Sequence, residues 1–214
     1  MNDNRNYTYD VNSNILREEY EIVAKWIPAR SSVIDLGCGE GSLLSFLRKK
    51  NISGVGVDVS SSGIKAAKEK NLNVHTGRID VPLKFKDKEF DFAICNVTLQ
   101  MVMYPEVLLL EMKRIAKRQI VSFPNFAFVL NRLDLLINGR MPRPMMPGYQ
   151  WNSTGHIHQL SISDFKDFCR KNHMNILETR HIYSKKIFVF PRVILSKFPN
   201  LFASTAIFLT SSNI

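Results

Sequence analysis

Short apolar runs alternate along this chain with longer segments whose apolar side chains recur every three or four residues. The runs are typical of buried strands, and the longer spacing is typical of helices that pack one face on a sheet. The pattern predicts strands at 31–36, 55–58, 72–76, 90–95, 119–123, 176–182 and 206–210, and helices at 15–27, 42–50, 60–70, 105–117, 126–137 and 163–172. The alternation predicts an α/β fold with a doubly wound, mostly parallel seven-stranded sheet and helices on both faces.

Polar residues, prolines and glycines mark the ends of these predicted helices. Asn14, Ser60 and Ser163 are predicted N-caps, because their side-chain oxygens can accept hydrogen bonds from free amides of the first turn. Pro28 is predicted to end the first helix, and Asn138-Gly139 the fifth.

The predicted elements fill one domain at 15–214, preceded by a polar extension at 1–14. A loop at 140–161 contains three prolines and two glycines, and loops of this length in compact domains are usually functional. Two roles are open for it: a lid over a ligand site, or a docking surface for a partner protein. The apolar side chains available for either role are Met145, Met146, Tyr149 and Trp151.

A glycine-rich segment, Asp35-Leu36-Gly37-Cys38-Gly39-Glu40-Gly41, joins the first predicted strand to the second predicted helix. Glycine at such a turn lets the backbone pass close to a ligand, because there is no Cβ in the way. The other interpretation is a turn that needs glycine only for its own conformation. We predict an adenine-nucleoside cofactor here, bound by Asp35, Gly37, Cys38, Gly39 and Gly41.

The spacing within this segment selects the cofactor. A dinucleotide fingerprint needs a third glycine where this chain has Ser42. An acid followed by Gly-x-Gly-x-Gly instead resembles the S-adenosylmethionine loop of class I methyltransferases. The second predicted strand ends in Asp58, followed by Val59, and a carboxylate there can accept hydrogen bonds from ribose hydroxyls. We therefore expect S-adenosyl-L-methionine or S-adenosyl-L-homocysteine, with Asp58 and Val59 in the site.

Other candidate residues follow the later strands, because ligands of open α/β sheets bind at the carboxyl ends of the strands. Ile79 and Asp80 follow the third strand, where Asp80 is either an acceptor for an adenine amino group or a solvated turn residue. Asn96 ends the fourth strand, and Val97, Thr98 and Gln100 come after it. Asn125 follows the fifth strand, and its expected role is to cap the next helix.

Histidine in the long loop gives a candidate for acid–base chemistry. His158 could act as a general base, although a hydrogen-bonded structural histidine is the alternative, and His156 would face the other way in an extended segment. The catalytic candidates are therefore His158 and Asn96.

Two absences narrow the reaction class. The sequence has no Gly-x-Ser-x-Gly nucleophile elbow, which disfavours acyl transfer by a Ser-His-Asp triad. It has no cluster of His, Cys and carboxylates at metal-ligand spacing, so no metal is expected. The three cysteines form no Cys-x-x-Cys pair, and Cys95 and Cys169 are predicted to be packing residues.

The net charge of +10 raises the question of nucleic acid. The basic residues are instead spread over predicted helix ends, where cations offset the helix dipole: 48–50, 113–114, 117–118 and 170–171. No basic stripe is interleaved with aromatic side chains. Arg192, Lys197 and two prolines interrupt the apolar stretch 187–209, and the start of the chain has no apolar signal core. We expect a cytoplasmic protein with neither a nucleic-acid nor a membrane partner.

Several narrower motifs add a family resemblance that covers roughly residues 15–210. The motifs are 33–39 (VIDLGCG), 98–100 (TLQ), 120–126 (IVSFPNF), 139–142 (GRMP), Trp151, Thr154, 157–158, 199–201 (PNL), Ala203 and 206–208 (AIF). In these motifs the chain resembles the methionine biosynthesis protein MetW family, a branch of the Rossmann-like class I methyltransferase fold.

The resemblance implies a role in methionine synthesis beside homoserine O-acetyltransferase, which such proteins are thought to bind and activate. The alternative is an S-adenosylmethionine-dependent methyltransferase that acts on a small molecule. One position departs from the family pattern: Arg78 stands where the family usually has an acid, while Asp80 keeps the second acid. The expected adenine contact therefore depends on Asp80 and on the backbone amide of Ile79.

Overall fold

The computed structural model describes residues 18–142, 155–187 and 191–212. Its seven strands form one sheet in the order β3-β2-β1-β4-β5-β7-β6, in which β7 runs antiparallel to both of its neighbours. The predicted seven-stranded, mostly parallel sheet is confirmed. The strands are β1 Ser32–Leu36, β2 Ser53–Asp58, β3 Asn73–Thr76, β4 Phe90–Asn96, β5 Ala116–Pro124, β6 Met174–Tyr183 and β7 Ala203–Ser212.

Helices cover both faces of the sheet, as the alternation predicts. The described helices are α1 Glu18–Trp26, α2 Ser42–Arg48, α3 Ser61–Glu69, α4 Pro105–Ile115, α5 Val129–Asn138, α6 Ile162–Lys171, α7 Arg192–Lys197 and α8 Pro199–Phe202, with 3₁₀ turns at Leu99–Met101 and Lys185–Ile187. Side chains of α1, α2 and α3 pack in one core cluster, and those of α4 and α6 pack in another. No helix in the described ranges is long and apolar enough to cross a membrane.

The boundary between α4 and β5 differs from the prediction. The apolar pattern predicts a helix to residue 117, but α4 ends at Ile115 and β5 begins at Ala116, which pairs with Phe90. Lys117 lies on the strand, where its Nζ is 2.8 Å from Asp91 Oδ1, and Arg118 lies over the Phe92 ring. Their predicted role at a helix C-terminus is therefore wrong, because pairing with β4 outweighs the helical pattern.

Two predicted caps are wrong. Ser161, and not Ser163, caps α6: its Oγ accepts from the Asp164 amide, and the Asp164 carboxylate accepts from the Ser161 amide. This reciprocal pair is a capping box. Asn125 does not cap α5, which begins at Val129. Its buried side chain instead donates to the carbonyls of Asn200 and Ala203, at 3.0 and 2.9 Å.

Other helix ends follow the prediction. Ser60 caps α3 by accepting from the Gly63 amide at 3.2 Å, and Gly139 ends α5 in the left-handed region with φ +60°. Helices α7 and α8 were not predicted, because each is short; α7 follows Pro191, and α8 begins with Pro199. The extension at 1–14, the Asn14 cap and the first residues of the predicted helix at 15–27 lie outside the described residues.

Candidate functional site

The glycine segment is a tight turn between β1 and α2, at the carboxyl edge of the sheet. Gly37, Gly39 and Gly41 all have positive φ, at 87°, 53° and 75°. The Gly37 amide donates to Val57 O at 2.8 Å and the Gly39 amide to Asp58 Oδ2 at 2.8 Å, so the turn is tied to the end of β2. The sequence therefore predicts correctly that this segment is the turn between β1 and α2.

Two of these glycines also have a packing role that the sequence did not reveal. A Cβ on Gly37 would lie 2.4 Å from Thr98 Cγ2, and one on Gly41 would lie 2.3 Å from Leu72 Cδ1. The sequence also gave no reason to single out Gly56 on β2, where a Cβ would lie 2.6 Å from Cys38 Sγ. Close packing within the protein thus requires glycine at these positions, whatever is bound.

Asp58 ends β2 with both carboxylate oxygens facing backbone amides. Oδ2 accepts from Gly39, and Oδ1 accepts from Ser60 at 2.7 Å. A carboxylate has about four acceptor sites, so hydrogen bonds to two ribose hydroxyls are compatible with these contacts. Val59 follows with its side chain exposed, which leaves an apolar surface beside the carboxylate.

Asp35 is the most unusual carboxylate of the site. It is 2% exposed, and its Oδ1 has no hydrogen-bond partner in the part of the chain that the structure describes. Burial, with a smaller contribution from the negative charge of Asp58, raises its pKa to about 7. A buried acceptor without a donor is uncommon and calls for an explanation. A positively charged ligand group would supply one.

Cys38 faces this acidic environment as a neutral thiol. Burial and the two neighbouring carboxylates, Asp35 and Asp58, raise its pKa far above its ordinary value. Because the thiolate is the nucleophile, Cys38 is inert, and its place in the site is a matter of shape. Cys95 and Cys169 are buried, as predicted for packing residues.

Asp80 is buried and holds two loops together. Arg78 donates to it twice, at 3.0 Å from Nε to Oδ1 and 3.1 Å from Nη2 to Oδ2. The Met103 and Tyr104 amides donate to Oδ2 at 3.0 and 3.1 Å. Burial alone would raise the pKa of Asp80, but the hydrogen bonds from Arg78 and Tyr104 lower it. Ile79 turns its side chain into the core. The adenine contacts of Ile79 and Asp80 stay predictions.

Asn96 lies at the end of β4 and opens a strained loop. Its Oδ1 accepts from Ser122 Oγ at 2.7 Å, and the same Oγ accepts from the Val97 amide at 3.0 Å. Val97 has φ +57°, which is a genuine outlier for a β-branched residue. Such strain concentrates at ligand sites and switch regions. Thr98 follows with its Oγ1 3.4 Å from Gly37 O, so this loop contacts the glycine turn.

His158 is held against the same loop. The amides of Ile157 and His158 donate to Gln100 O at 2.9 and 3.1 Å, and His158 Nε2 lies 3.2 Å from Met103 O. Since a carbonyl only accepts, Nε2 must carry the proton, which leaves Nδ1 as an acceptor. His158 therefore has a structural hydrogen bond, and a role as a base would fall to Nδ1. Tyr149 and Trp151 lie outside the described residues.

The described residues contain no group of three or more His, Cys, Asp and Glu side chains that could hold a metal ion.

Comparison with solved structures supports the fold. Magnesium protoporphyrin IX methyltransferase from Synechocystis PCC 6803, solved with bound SAH, superposes with a TM-score of 0.64 at 19% identity, covering 91% of this chain and 82% of that chain. The PH0226 protein from Pyrococcus horikoshii superposes with a TM-score of 0.67 at 17% identity, covering 95% and 94%. These similarities show a class I methyltransferase-like fold.

Sequence comparison identifies the family. The Bifunctional methionine biosynthesis protein MetXA/MetW from Rhodopirellula baltica is 34% identical over 169 residues, which are 71% of this chain. This chain spans about a quarter, 26%, of that relative. The family model described as Methionine biosynthesis protein MetW matches residues 17–210. The chain therefore belongs to the methionine biosynthesis protein MetW family.

Proposed function

We propose that this protein binds S-adenosylmethionine at the carboxyl edge of its sheet and acts with homoserine O-acetyltransferase, which it activates, in methionine synthesis. The observation that carries the cofactor assignment is the buried Oδ1 of Asp35, which lacks a donor among the described residues beside a glycine turn. A ligand with positive charge fits two carboxylates, Asp35 and Asp58, better than a polyphosphate does.

Each part of the site has a role in this proposal. The turn Gly37–Gly41 surrounds the ligand with backbone, and Asp58 accepts from the ribose hydroxyls. Val59 offers an apolar surface to the adenine, while Ile79, Asp80 and Asn96 border the base and the methyl-bearing sulfur. S-adenosylmethionine, when bound, supplies a methyl group on a positively charged sulfur. The residues present therefore fit the ligand in charge.

Calorimetric titration of the purified protein with S-adenosylmethionine tests this assignment, with NAD as the competing adenine ligand. We expect saturable 1:1 binding of S-adenosylmethionine and none of NAD, because NAD brings two phosphates toward Asp35 and Asp58. Binding of NAD without binding of S-adenosylmethionine would overturn the assignment.

The partner assignment has separate support. The Rhodopirellula relative carries both names, MetXA and MetW, in one bifunctional protein. This chain also has an exposed apolar face on α5, formed by Leu133, Leu136 and Ile137, of which Leu136 is 81% and Ile137 75% exposed. The spacing of these residues places them on one side of the helix. Exposed apolar patches mark interaction sites, so we assign the α5 face to the acetyltransferase.

The α5 face is a second candidate docking surface beside the one that the sequence predicts. The sequence suggested docking through Met145, Met146 and Trp151, which lie outside the described residues. The described start of that loop, Arg140–Pro142, directly follows α5 and Gly139.

Co-purification of the tagged protein with homoserine O-acetyltransferase tests the partner, with acetylation measured with and without S-adenosylmethionine. We expect Leu136→Asp with Ile137→Asp to abolish the complex and the activation. The control is Leu110→Asp on α4, where the leucine is also exposed, at 44%. Retention of the complex in the double variant would contradict the α5 assignment.

Methyl transfer is the second candidate function, and the observation that favours it is the contact of His158 Nε2 with Met103 O, which leaves Nδ1 in the form that can accept a proton. Incubation with S-adenosyl[methyl-³H]methionine and small-molecule extracts would detect it. Label transfer that is lost in His158→Ala, without a complex with the acetyltransferase, would favour the methyltransferase.

A further inference from the structure

We propose that the outer edge of β6 binds a second copy of this chain, so that two molecules pair strand to strand around a two-fold axis at Thr179. The inference goes beyond the proposed function, because neither the cofactor site nor the acetyltransferase enters it. The contact would join two seven-stranded sheets into one continuous sheet.

The first observation is that β6 is a long edge strand. It runs over ten residues, Met174–Tyr183, and β7 pairs with one side of it. The other side has no strand partner among the described elements. At the centre of the strand, Thr179 O accepts from the Arg180 guanidinium at 3.1 Å in an exposed position. A long edge strand presents backbone donors and acceptors with which another extended segment can pair.

The second observation is that the sequence of this strand is complementary to its own reverse. Residues 176–182 read Ile-Leu-Glu-Thr-Arg-His-Ile. When two copies pair antiparallel about the central threonine, Glu178 of each copy faces Arg180 of the other. At the ends of the segment, Ile176 faces Ile182. A two-fold interface needs this property, since the same residues form both sides of it. A strand of an unrelated protein gives no reason for it, so the occupant is a second copy.

The two charged side chains are placed to make this contact. Glu178 and Arg180 lie on the same face of β6, where Arg180 Nη2 is 3.0 Å from Glu178 Oε2. Their side chains are 42% and 56% exposed, respectively, so both can reach a neighbouring strand. Trp26 Nε1 also donates to Glu178 Oε2, at 3.0 Å, which holds the carboxylate on the α1 side of the sheet. Around the two-fold axis, two carboxylates and two guanidinium groups would alternate, and each charge would have opposite charges on both sides.

Charge also selects this register over its neighbours. A two-fold axis one residue earlier would set Glu178 against its own copy, and an axis one residue later would do the same to Arg180. Like charges directly opposite each other destabilise a strand pair. The ladder between β6 and β7 is regular from Glu178 to Ile182, and its nearest irregularity on the other side lies before Glu178. The charged positions are therefore on regular strand, and Thr179 is the favoured centre.

Paired charge reversals test the proposal. In Arg180→Glu both charged positions of the strand are acidic, and in Glu178→Arg both are basic, so each variant should repel its own copies. An equimolar mixture of the two variants restores opposite charges at every contact and should form a heterodimer. Lys65→Glu is the control, because Lys65 is exposed on α3, which packs beside β3 at the opposite edge of the sheet.

Sedimentation velocity over a concentration series that reaches about 100 µM measures the association, since a contact of one strand pair is at the small end of specific interfaces. We expect the unaltered protein and Lys65→Glu to dimerise alike. Each reversal should weaken the dimer about tenfold or more, and the mixture should sediment as a dimer. Circular dichroism and thermal unfolding show whether each variant is folded, above all Glu178→Arg, which loses the bond from Trp26.

An unaltered protein that is monomeric at every concentration would overturn the proposal. So would a dimer that both reversals leave unchanged, or a mixture that stays monomeric although both variants are folded. If Glu178→Arg does not fold, Arg180→Lys and Arg180→Glu decide. A dimer kept by lysine and lost with glutamate supports the contact, and equal behaviour of the two overturns it.

Discussion

The glycine turn at 37–41 and the loop at 97–104 leave adjacent strands at the same edge of the sheet, and they are held in different ways. In the glycine turn, positive φ falls on glycines, and the amides of Gly37 and Gly39 donate to Val57 and Asp58. In the second loop, positive φ falls on Val97, and the Gln100 side chain has no partner within the described residues.

This difference separates two kinds of ligand contact. The glycine turn is preformed, because its positive φ values fall on glycines and the amides of Gly37, Gly39 and Gly41 are hydrogen-bonded within the protein. The loop after β4 instead retains strain and an unpaired amide, and a ligand can relieve part of that cost. We infer that the glycine turn, which would contact the nucleoside, is rigid. The loop at 97–104 would instead depend on its ligand for stability.

Replacement of Gly37 by alanine would have the largest effect on the rigid glycine turn. The new Cβ would meet Thr98 Cγ2 at 2.4 Å, in a conformation that also disfavours side chains. Overpacking and left-handed strain together should lower the free energy of unfolding by about 3 kcal/mol or more. Urea denaturation measures this. The control, Gly139→Ala, has φ +60° with nothing within 4 Å, so it should lose only about 1 kcal/mol. Equal losses would contradict the packing role of Gly37.

Asp58→Asn should weaken S-adenosylmethionine by about 2 kcal/mol, which is roughly thirtyfold, because a charged acceptor for the ribose hydroxyls is lost. Isothermal calorimetry measures the change. Asp91→Asn is the matched control: Asp91 also accepts from a backbone amide, that of Ser32 at 2.9 Å, but it lies at the opposite end of the parallel strands. Unchanged affinity in Asp58→Asn would show that the ribose is bound elsewhere.

The sequence predicts those parts of the site that depend on residues close together in the chain. The positions of the glycine turn, Asp58 and Ser60 follow from residues close in sequence, and the structure places them as expected. The role of Asn125, which bonds residues 75 and 78 positions later, could not be predicted from neighbours. The isolated amide of Gln100 is likewise a property of the packed fold, since only burial turns a polar side chain into an unpaired one.

The raised pKa of Asp35 predicts that both the stability of the protein and its affinity for S-adenosylmethionine depend on pH. The pKa of Asp35 is about 7 in the folded protein and 3.8 in an ordinary Asp. Its contribution to the stability of the folded state is therefore complete below pH 3.8 and is lost as the pH rises through about 7. A cationic ligand favours the ionised form, so affinity for S-adenosylmethionine should rise about tenfold between pH 6 and pH 8. Calorimetry in buffers of different ionisation enthalpy should detect release of a proton. Asp35→Asn should remove the dependence, and a flat profile in the unaltered protein would contradict the assignment.

The smallest expected effect concerns the strain at Val97. Asparagine tolerates the left-handed region better than a β-branched residue does, so Val97→Asn should raise the free energy of unfolding by up to about 1 kcal/mol. Val97→Ile keeps the branch at Cβ and should leave it unchanged. Urea denaturation with and without S-adenosylmethionine measures both. If the ligand relieves strain in this loop, the gain from asparagine should shrink when the ligand is bound, because the bound state has less strain left to remove. An asparagine variant less stable than the unaltered protein would show that Val97 contributes through packing, and the contrast between the two loops would then rest on Gln100 alone.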